Sequence, residues 1–323
     1  MKLIEKLEDI ETPFPNAVIT IGNFDGVHIG HQALFHEVME NADMRNGTAI
    51  AMTFEPHPIR VLKNNGHPPL ITPYAQKIEL IEKSGIDVLI CVPFTREFAA
   101  ITAKEFVLDI LLGRIGIQAI VVGKDYTFGK NREGNLNLLK SYAEAFDFEV
   151  DVVDWIPVSN NIPSRISSTR IRELLMRDGK VGEAHKLLGR HYQVSGIVTP
   201  GRNRGGKLLG FPTANIKLKE ELYPKNGIYA VTVDCLDETY QGVANIGYSP
   251  TFDENELTVE VHILDFNKDL YGQSIIVKFI ERIRDEIKFS GIDALSQQIA
   301  NDVVTARHIL TNRHTSPLQF CIK

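Results

Sequence analysis

Two histidines three residues apart, His28 and His31, close the stretch GNFDGVHIGH at residues 22–31, directly after the strand-forming run AVITI. Gly22, Gly26 and Gly30 punctuate it, permitting sharp turns and close backbone approach where a helix begins. The first turn of a helix presents amide hydrogens that no intrahelical acceptor uses, and its dipole favours an anion. Imidazoles on that turn can donate to phosphate oxygens and to the charge that builds on phosphorus during transfer. With Phe24 and Asp25 in the same turn, the pattern points to phosphate chemistry without a P-loop lysine.

A second cluster lies at residues 199–218, TPGRNRGGKLLGFPTANIKL. Gly201, Gly205, Gly206 and Gly210 let a loop wrap phosphates, with Arg202, Arg204 and Lys207 supplying positive charge. Thr213 and Asn215, two apart on a short strand, would face one side and reach one hard cation. A solvated basic hairpin is the plainer alternative for the same residues. In LTVEVHILDF, Glu260 stands among apolar Leu257, Val259, Val261 and Ile263, so its carboxylate takes the opposite strand face. On its own that position reads as an ordinary solvated glutamate.

Three shorter segments complete the candidates. In TFEPHP, residues 53–58, Pro56 and Pro58 stiffen a loop that presets Phe54 and His57 for a ligand. In VVGKDYTFG, residues 121–129, Gly123 ends an apolar strand and Asp125 follows at the rim as a ribose or amine acceptor. In ISSTRIR, residues 166–172, Ser168 or Thr169 would cap a helix containing Ile171, Leu174 and Leu175, and Arg172 could meet a phosphate bidentately.

These residues need elements to hold them. Up to about residue 185 short apolar runs alternate with amphipathic ones, which predicts a doubly wound α/β domain with a parallel sheet. Ligands in such sheets sit at the carboxyl ends of the strands, placing the histidine turn, TFEPHP and VVGKDYTFG on one rim. Beyond the helical stretch TRIRELLMRDGKVGEAHKLLG the segments are β-rich with frequent turns, predicting a small antiparallel β-barrel or sandwich. Leu295, Ile299, Val303, Ala306 and Leu310 then fall at helical spacing for a terminal helix. The division is set at 1–186 and 187–323.

Composition narrows the function classes. A chain of 323 residues, 43% of them hydrophobic, can bury two cores. Its formal charge of −6 argues against a general nucleic-acid binder. No apolar stretch approaches the roughly 20 residues of a spanning helix, and acidic residues interrupt the N-terminal region, so the expected location is the cytoplasm, away from membrane. Cys91, Cys235 and Cys321 are widely spaced, which fits reduced packing thiols.

GNFDGVHIGH resembles the HxGH signature of the nucleotidylyltransferase superfamily, in the form found in bacterial bifunctional riboflavin kinase/FAD synthetases. TFEPHP is similar to the flavin-side loop of those enzymes, VVGKDYTFG to their nucleotide-pocket loop, and ISSTRIR to their ISSTxIR motif. Asp125 departs from the pattern, since many members have asparagine there. PTAN at 212–215 resembles the kinase motif of the same family, and Glu260 matches the glutamate it uses as base. IERIRDEIKF, residues 280–289, is similar to its flavin-contacting segment, with Arg284 as the participant.

The resemblance implies a Rossmann-like FMN adenylyltransferase domain and a riboflavin kinase barrel. It implies ATP as co-substrate, riboflavin, FMN and FAD as substrates or products, and Mg²⁺ held by Thr213 and Asn215. The catalytic residues implied are His28, His31 and Glu260. Gly22, Phe24, Asp25, Gly30, Gly123, Asp125, Ser168, Thr169 and Arg172 would hold ATP in the first half, and Gly206, Lys207, Gly210, Thr213 and Asn215 in the second. Phe54, Pro56, His57, Phe128 and Arg284 would meet the flavin. The expected partners are these small molecules, with room for a weak homo-oligomer. A nucleotidylyltransferase for another phosphorylated acceptor, or a flavin-binding protein without turnover, are the alternatives.

Overall fold

The apolar runs of the first half form parallel strands whose residues are buried on both faces, as expected of a sheet covered by helices on each side. In a computed structural model of the chain, residues 1–63, 66–159, 162–200, 211–218, 221–250 and 255–312 are described. They divide into two compact units, Met1–Ser168 and Thr169–Lys323.

The first unit contains β1 (Lys2–Ile4), β2 (Ala17–Ile21), β3 (Ala49–Glu55), β4 (Val88–Pro93), β5 (Ile117–Gly123) and β6 (Glu149–Val153). They form one sheet in the order β1-β4-β3-β2-β5-β6, with every pairing parallel. Alternate residues serve opposite faces. Ile19, Ile50, Met52, Ile90 and Ile120 pack with the π-helical segment Phe106–Ile115, whereas Val18, Ala51, Leu89 and Val121 pack with Phe35 and Val38 of α1 (Ile29–Met44). From β2 the chain goes to β3 on one side and later returns through β5 on the other, so the carboxyl ends of β2 and β5 flank the topological switch point. Strand β1, the short helix α2 (Pro58–Leu62) and the later helix Leu136–Phe146 lie where the apolar pattern predicts nothing. The small hairpin of β7 (Pro157–Ser159) and β8 (Ile162–Arg165) follows.

The second unit begins at Thr169, within the helical turn Ser168–Arg172, and continues through Glu173–Asp178, interrupted at Gly179 (φ 68°), then Val181–Leu188, which packs on the barrel strands β9 (Tyr192–Thr199) and β14 (Ser274–Arg284). With β10 (Ala214–Leu218), β11 (Gly227–Cys235), β12 (Glu238–Pro250) and β13 (Asn255–Ile263) these close a barrel in the order β10-β13-β12-β11-β14-β9. Of the two β architectures the sequence allows, it is the barrel. Val194, Val231, Val233, Ala244, Val259, Val261 and Val277 are fully buried and alternate with outward residues. The long helix Ile292–Asn312 covers one outer stripe through Ala306 and Leu310, against Ile228, Ala230, Val243 and Ile280. Among the described residues no helix is long and apolar enough to cross a membrane.

Arg284 fastens that helix to the barrel. Its Nε lies 2.9 Å from Asp302 Oδ1 and its Nη2 2.6 Å from Oδ2, and Gln298 donates to the same carboxylate at 2.9 Å. Asp302 is only 3% exposed. Removing one partner of a buried pair leaves the other charge uncompensated. Asp302→Ala is therefore expected to destabilise the protein by about 3 kcal/mol, read as a lowered midpoint in urea unfolding followed by circular dichroism.

Candidate active sites

In the first unit the loop between β2 and α1 carries His28 and His31 to the switch point. Its backbone is strained at residues other than glycine: Phe24 (φ 46°) and Val27 (φ 39°) both occupy the left-handed region, beside Gly26 (φ 88°). A buried carboxylate holds it. Asp25 accepts from the Ile71 amide at 2.9 Å and the Thr72 amide at 3.2 Å, while Gly26 N donates to the Thr72 hydroxyl at 2.8 Å. Gly22 makes space, because a Cβ there would lie 2.7 Å from the Phe24 ring.

His28 is the N-cap of α1 with extended backbone, and its carbonyl accepts from His31 N at 2.7 Å and Gln32 N at 3.0 Å. The two imidazoles stack face to face, centroids 3.6 Å apart, and Phe24 meets His31 edge-on at 5.3 Å. Gly30 eases this stack, since a Cβ there would sit 3.2 Å from Cε1 and Nδ1 of His28 and press on that ring. His28 is 6% exposed and His31 half-buried, which sets the pair at the edge of solvent at the positive end of a 16-residue helix.

The other sequence-predicted residues of this unit fall around the same rim. Gly123 ends β5, and Asp125 beyond it pairs with the Arg165 guanidinium, which also lies over the Trp155 ring. Ser168 does not cap its own helix: its hydroxyl donates to the Asp25 carbonyl at 2.8 Å and ties the ISST segment to the histidine loop. Thr169 and Arg172 lie in the helical turn Ser168–Arg172, beyond the division between units. His57 caps α2 by accepting from Ile59 N at 3.2 Å, next to Pro56.

Phe54 and Phe128 are linked by aromatic residues that motif reading misses. Phe54 meets Phe98 at 5.8 Å, Phe98 meets Phe106 at 6.4 Å, and Phe106 meets Phe128 at 6.0 Å. Phe106 and Phe128 belong to the buried core beside the sheet, and Phe54 and Phe98, partly buried against it, are the members left open to a flat ligand. Lys77 is also missed, because it reads as the polar face of the helix Tyr74–Lys83. It is 5% exposed, with Nζ 3.4 Å from the Phe54 carbonyl and 3.5 Å from Thr53 Oγ. Burial holds its pKa below the ordinary lysine value, with Glu55 acting the other way.

In the second unit Glu260 lies directly opposite Asn215 across the β13–β10 ladder. Buried Val259 and Val261 point into the barrel, so Glu260 takes the outer face as expected. Burial raises its carboxyl pKa above the usual range. Thr213 is exposed and precedes β10 by one residue, so it stands at the strand's mouth rather than on the strand. Beside it the His262 ring nitrogen Nδ1 is 2.7 Å from the Pro212 carbonyl, and that ring meets Phe211 edge-on. Gly206, Lys207 and Gly210 lie outside the described residues. Arg284 is engaged by Asp302, and its Nη1 donates to the Asp285 carbonyl at 2.9 Å.

A family model described as FAD synthetase matches residues 11–170, and one described as riboflavin kinase matches residues 188–310. A bifunctional riboflavin kinase/FMN adenylyltransferase from Buchnera aphidicola subsp. Schizaphis graminum is 36% identical, covering 94% of this chain and 97% of that protein. The protein so named from Escherichia coli K12 is 38% identical over 95% of this chain and 97% of its own length. A relative from Listeria monocytogenes with the same name is 39% identical over 89% and 90%. A crystal structure described as a macrolide-efflux protein from Streptococcus pneumoniae superposes with a TM-score of 0.85 at 36% identity, covering 94% of this chain and 98% of that one. That likeness extends the shared fold over both units.

The Asp25 geometry carries an expectation of its own. Asp25→Ala removes the acceptor of two buried amides, so it should cost about 3 kcal/mol. A thermal midpoint unchanged from the parent protein would contradict the role given to this carboxylate.

Proposed function

The chain belongs to the family of bifunctional riboflavin kinase/FMN adenylyltransferases, and from that premise we propose which residues carry each reaction. It phosphorylates riboflavin to FMN and adenylylates FMN to FAD, with ATP as co-substrate in both. The adenylyl transfer is assigned to residues 1–186 and the phosphorylation to 187–323. The matched segments, ending at 170 and resuming at 188, support that division.

The observation that carries the adenylyltransferase site is the His28–His31 stack at the N-terminus of α1. The FMN phosphate attacks the α-phosphorus of ATP; a new P–O bond forms as the bond to the β-phosphate oxygen breaks and pyrophosphate departs. No protein nucleophile is needed once the two anions are held in line. His28, His31 and the amides of the first α1 turn hold the polyphosphate and answer its charge, joined by Ser168, Thr169 and Arg172. Gly22, Phe24, Asp25 and Gly30 shape that cradle, and Gly123 and Asp125 bound the nucleoside side. Phe54, Pro56, His57 and Phe128 face the flavin, backed by Phe98 and Phe106.

In the barrel, Glu260 accepts the proton of riboflavin's terminal hydroxyl as that oxygen bonds to the γ-phosphorus of ATP and ADP leaves. A carboxylate whose pKa is raised by burial is a stronger base than a solvated one. The hydroxyl of Thr213 and the amide oxygen of Asn215 are hard donors of the type Mg²⁺ takes, and with substrate phosphates completing its shell the ion needs few protein ligands. When bound it neutralises charge on the ATP phosphates. Gly206, Lys207 and Gly210 would wrap the same phosphates, and Arg284 would meet the flavin through N–H groups that Asp302 and Asp285 leave. Cys91 and Cys235 are buried free thiols, which supports the cytoplasmic reading.

Incubating the protein with riboflavin, ATP and Mg²⁺ and separating the flavins should yield both FMN and FAD. The double variant His28→Ala/His31→Ala is expected to accumulate FMN and form no FAD; loss of both products in folded protein would refute separate sites. Glu260→Ala should abolish FMN formation yet still convert supplied FMN to FAD. Because Glu260 acts ionised and its pKa is raised, kcat/KM for phosphorylation should fall with decreasing pH along a limb lying above the ordinary carboxylate range.

A further inference from the structure

Glu260 has a polar neighbour on each side. Strand β13 runs between β10 and β12, and Glu260 is directly opposite Asn215 on the first and Asn245 on the second. Directly opposed residues of antiparallel strands share a face, with Cβ atoms about 5 Å apart. Three polar side chains therefore stand in a row across three strands, on the outer side of a barrel whose flanking Ala244, Ile246, Val259 and Val261 are buried. Beyond Asn245 the row meets Ile228 on β11, part of the apolar layer beneath the long helix Ile292–Asn312. Asn245 is thus the last polar group before a hydrocarbon wall.

The Asn245 amide oxygen is buried and has no hydrogen-bond partner among the described residues. Buried acceptors in native folds are nearly always satisfied, so one left open beside a catalytic carboxylate calls for a donor from outside the protein. An ionised Glu260 cannot supply it, because a carboxylate only accepts. A polyol chain can. It carries a hydroxyl on each successive carbon, and two acceptors about 5 Å apart on one face can engage the terminal hydroxyl and the one beside it.

On the reading that the barrel phosphorylates riboflavin, we propose that Asn245 is a substrate-positioning residue: its amide oxygen accepts a hydrogen bond from the ribityl hydroxyl adjacent to the reacting one, turning the reacting hydroxyl toward Glu260. Asn245 then reads the polyol character of the substrate's chain. A site built to bond a hydroxyl rejects an analogue lacking it far more strongly than an apolar pocket rejects a missing methylene.

The test compares riboflavin with 4′-deoxyriboflavin, which keeps the terminal hydroxyl and lacks its neighbour. The parent protein should favour riboflavin in kcat/KM by about 10-fold or more. Asn245→Leu should bring that ratio close to one while leaving KM for ATP within about threefold. Asn245→Asp, isosteric and still an acceptor, should keep the discrimination, which covers the case in which the leucine variant fails to fold. The assignment is overturned if Asn245→Leu discriminates as the parent does, if Asn245→Asp loses discrimination although folded, or if the parent shows no preference. Failure of the parent to phosphorylate riboflavin at all would instead remove the kinase reading on which the assignment rests.

Discussion

A carboxylate taken out of water and answered by backbone amides fixes the loop that carries the first candidate site. Asp25 is 5% exposed, and its partners Ile71 and Thr72 lie 46 and 47 residues away in sequence. Through them a loop with two strained non-glycine residues is held in one conformation, and the imidazole stack follows from that conformation. The Ser168 hydroxyl closes the arrangement from the other end by bonding the Asp25 carbonyl. A loop so constrained loses little freedom when an anion arrives, which is what electrostatic catalysis by fixed donors requires.

The barrel solves the same problem by register. Closing six strands fixes which residues stand opposite one another, and a shift of one position would send Glu260 to the interior and Val259 outward. The carboxylate is flanked by neutral amides and backed by buried apolar side chains, so desolvation alone raises its pKa. On the proposed assignment the two halves would reach phosphate chemistry by different routes: fixed donors on a helix end in one, a desolvated base on a strand in the other.

Much of this was legible from the sequence. The buried strands Ala17–Ile21, Ala49–Glu55 and Ile117–Gly123 are continuous apolar runs, and the outward position of Glu260 follows from strict alternation around it. What escaped depends on contacts distant in sequence. Strand β1 is three residues long and is specified by pairing with β4 rather than by its own pattern. The structural role of Asp25 is not legible, because nothing nearby announces its partners Ile71 and Thr72. Lys77 reads as solvated from helical periodicity, and only the fold buries it against Thr53 and Phe54. Asn245 carries no motif; its meaning comes from the strand beside it.

The π-helical stretch Phe106–Ile115 sets the orientation of Phe106 toward Phe98 and Phe128. A wide turn carries one more residue than the α-helical turn it replaces, so deleting a single residue within the stretch would relax it to ordinary pitch. Because the surplus residue is taken up inside the widened turn, the side chains downstream, Ile115 among them, would keep their phase against the sheet. The wide turn is thus where this helix can take up a change of one residue in length, whereas Val107, Leu111 and Ile115, fully buried against the sheet, leave no room for a charged side chain.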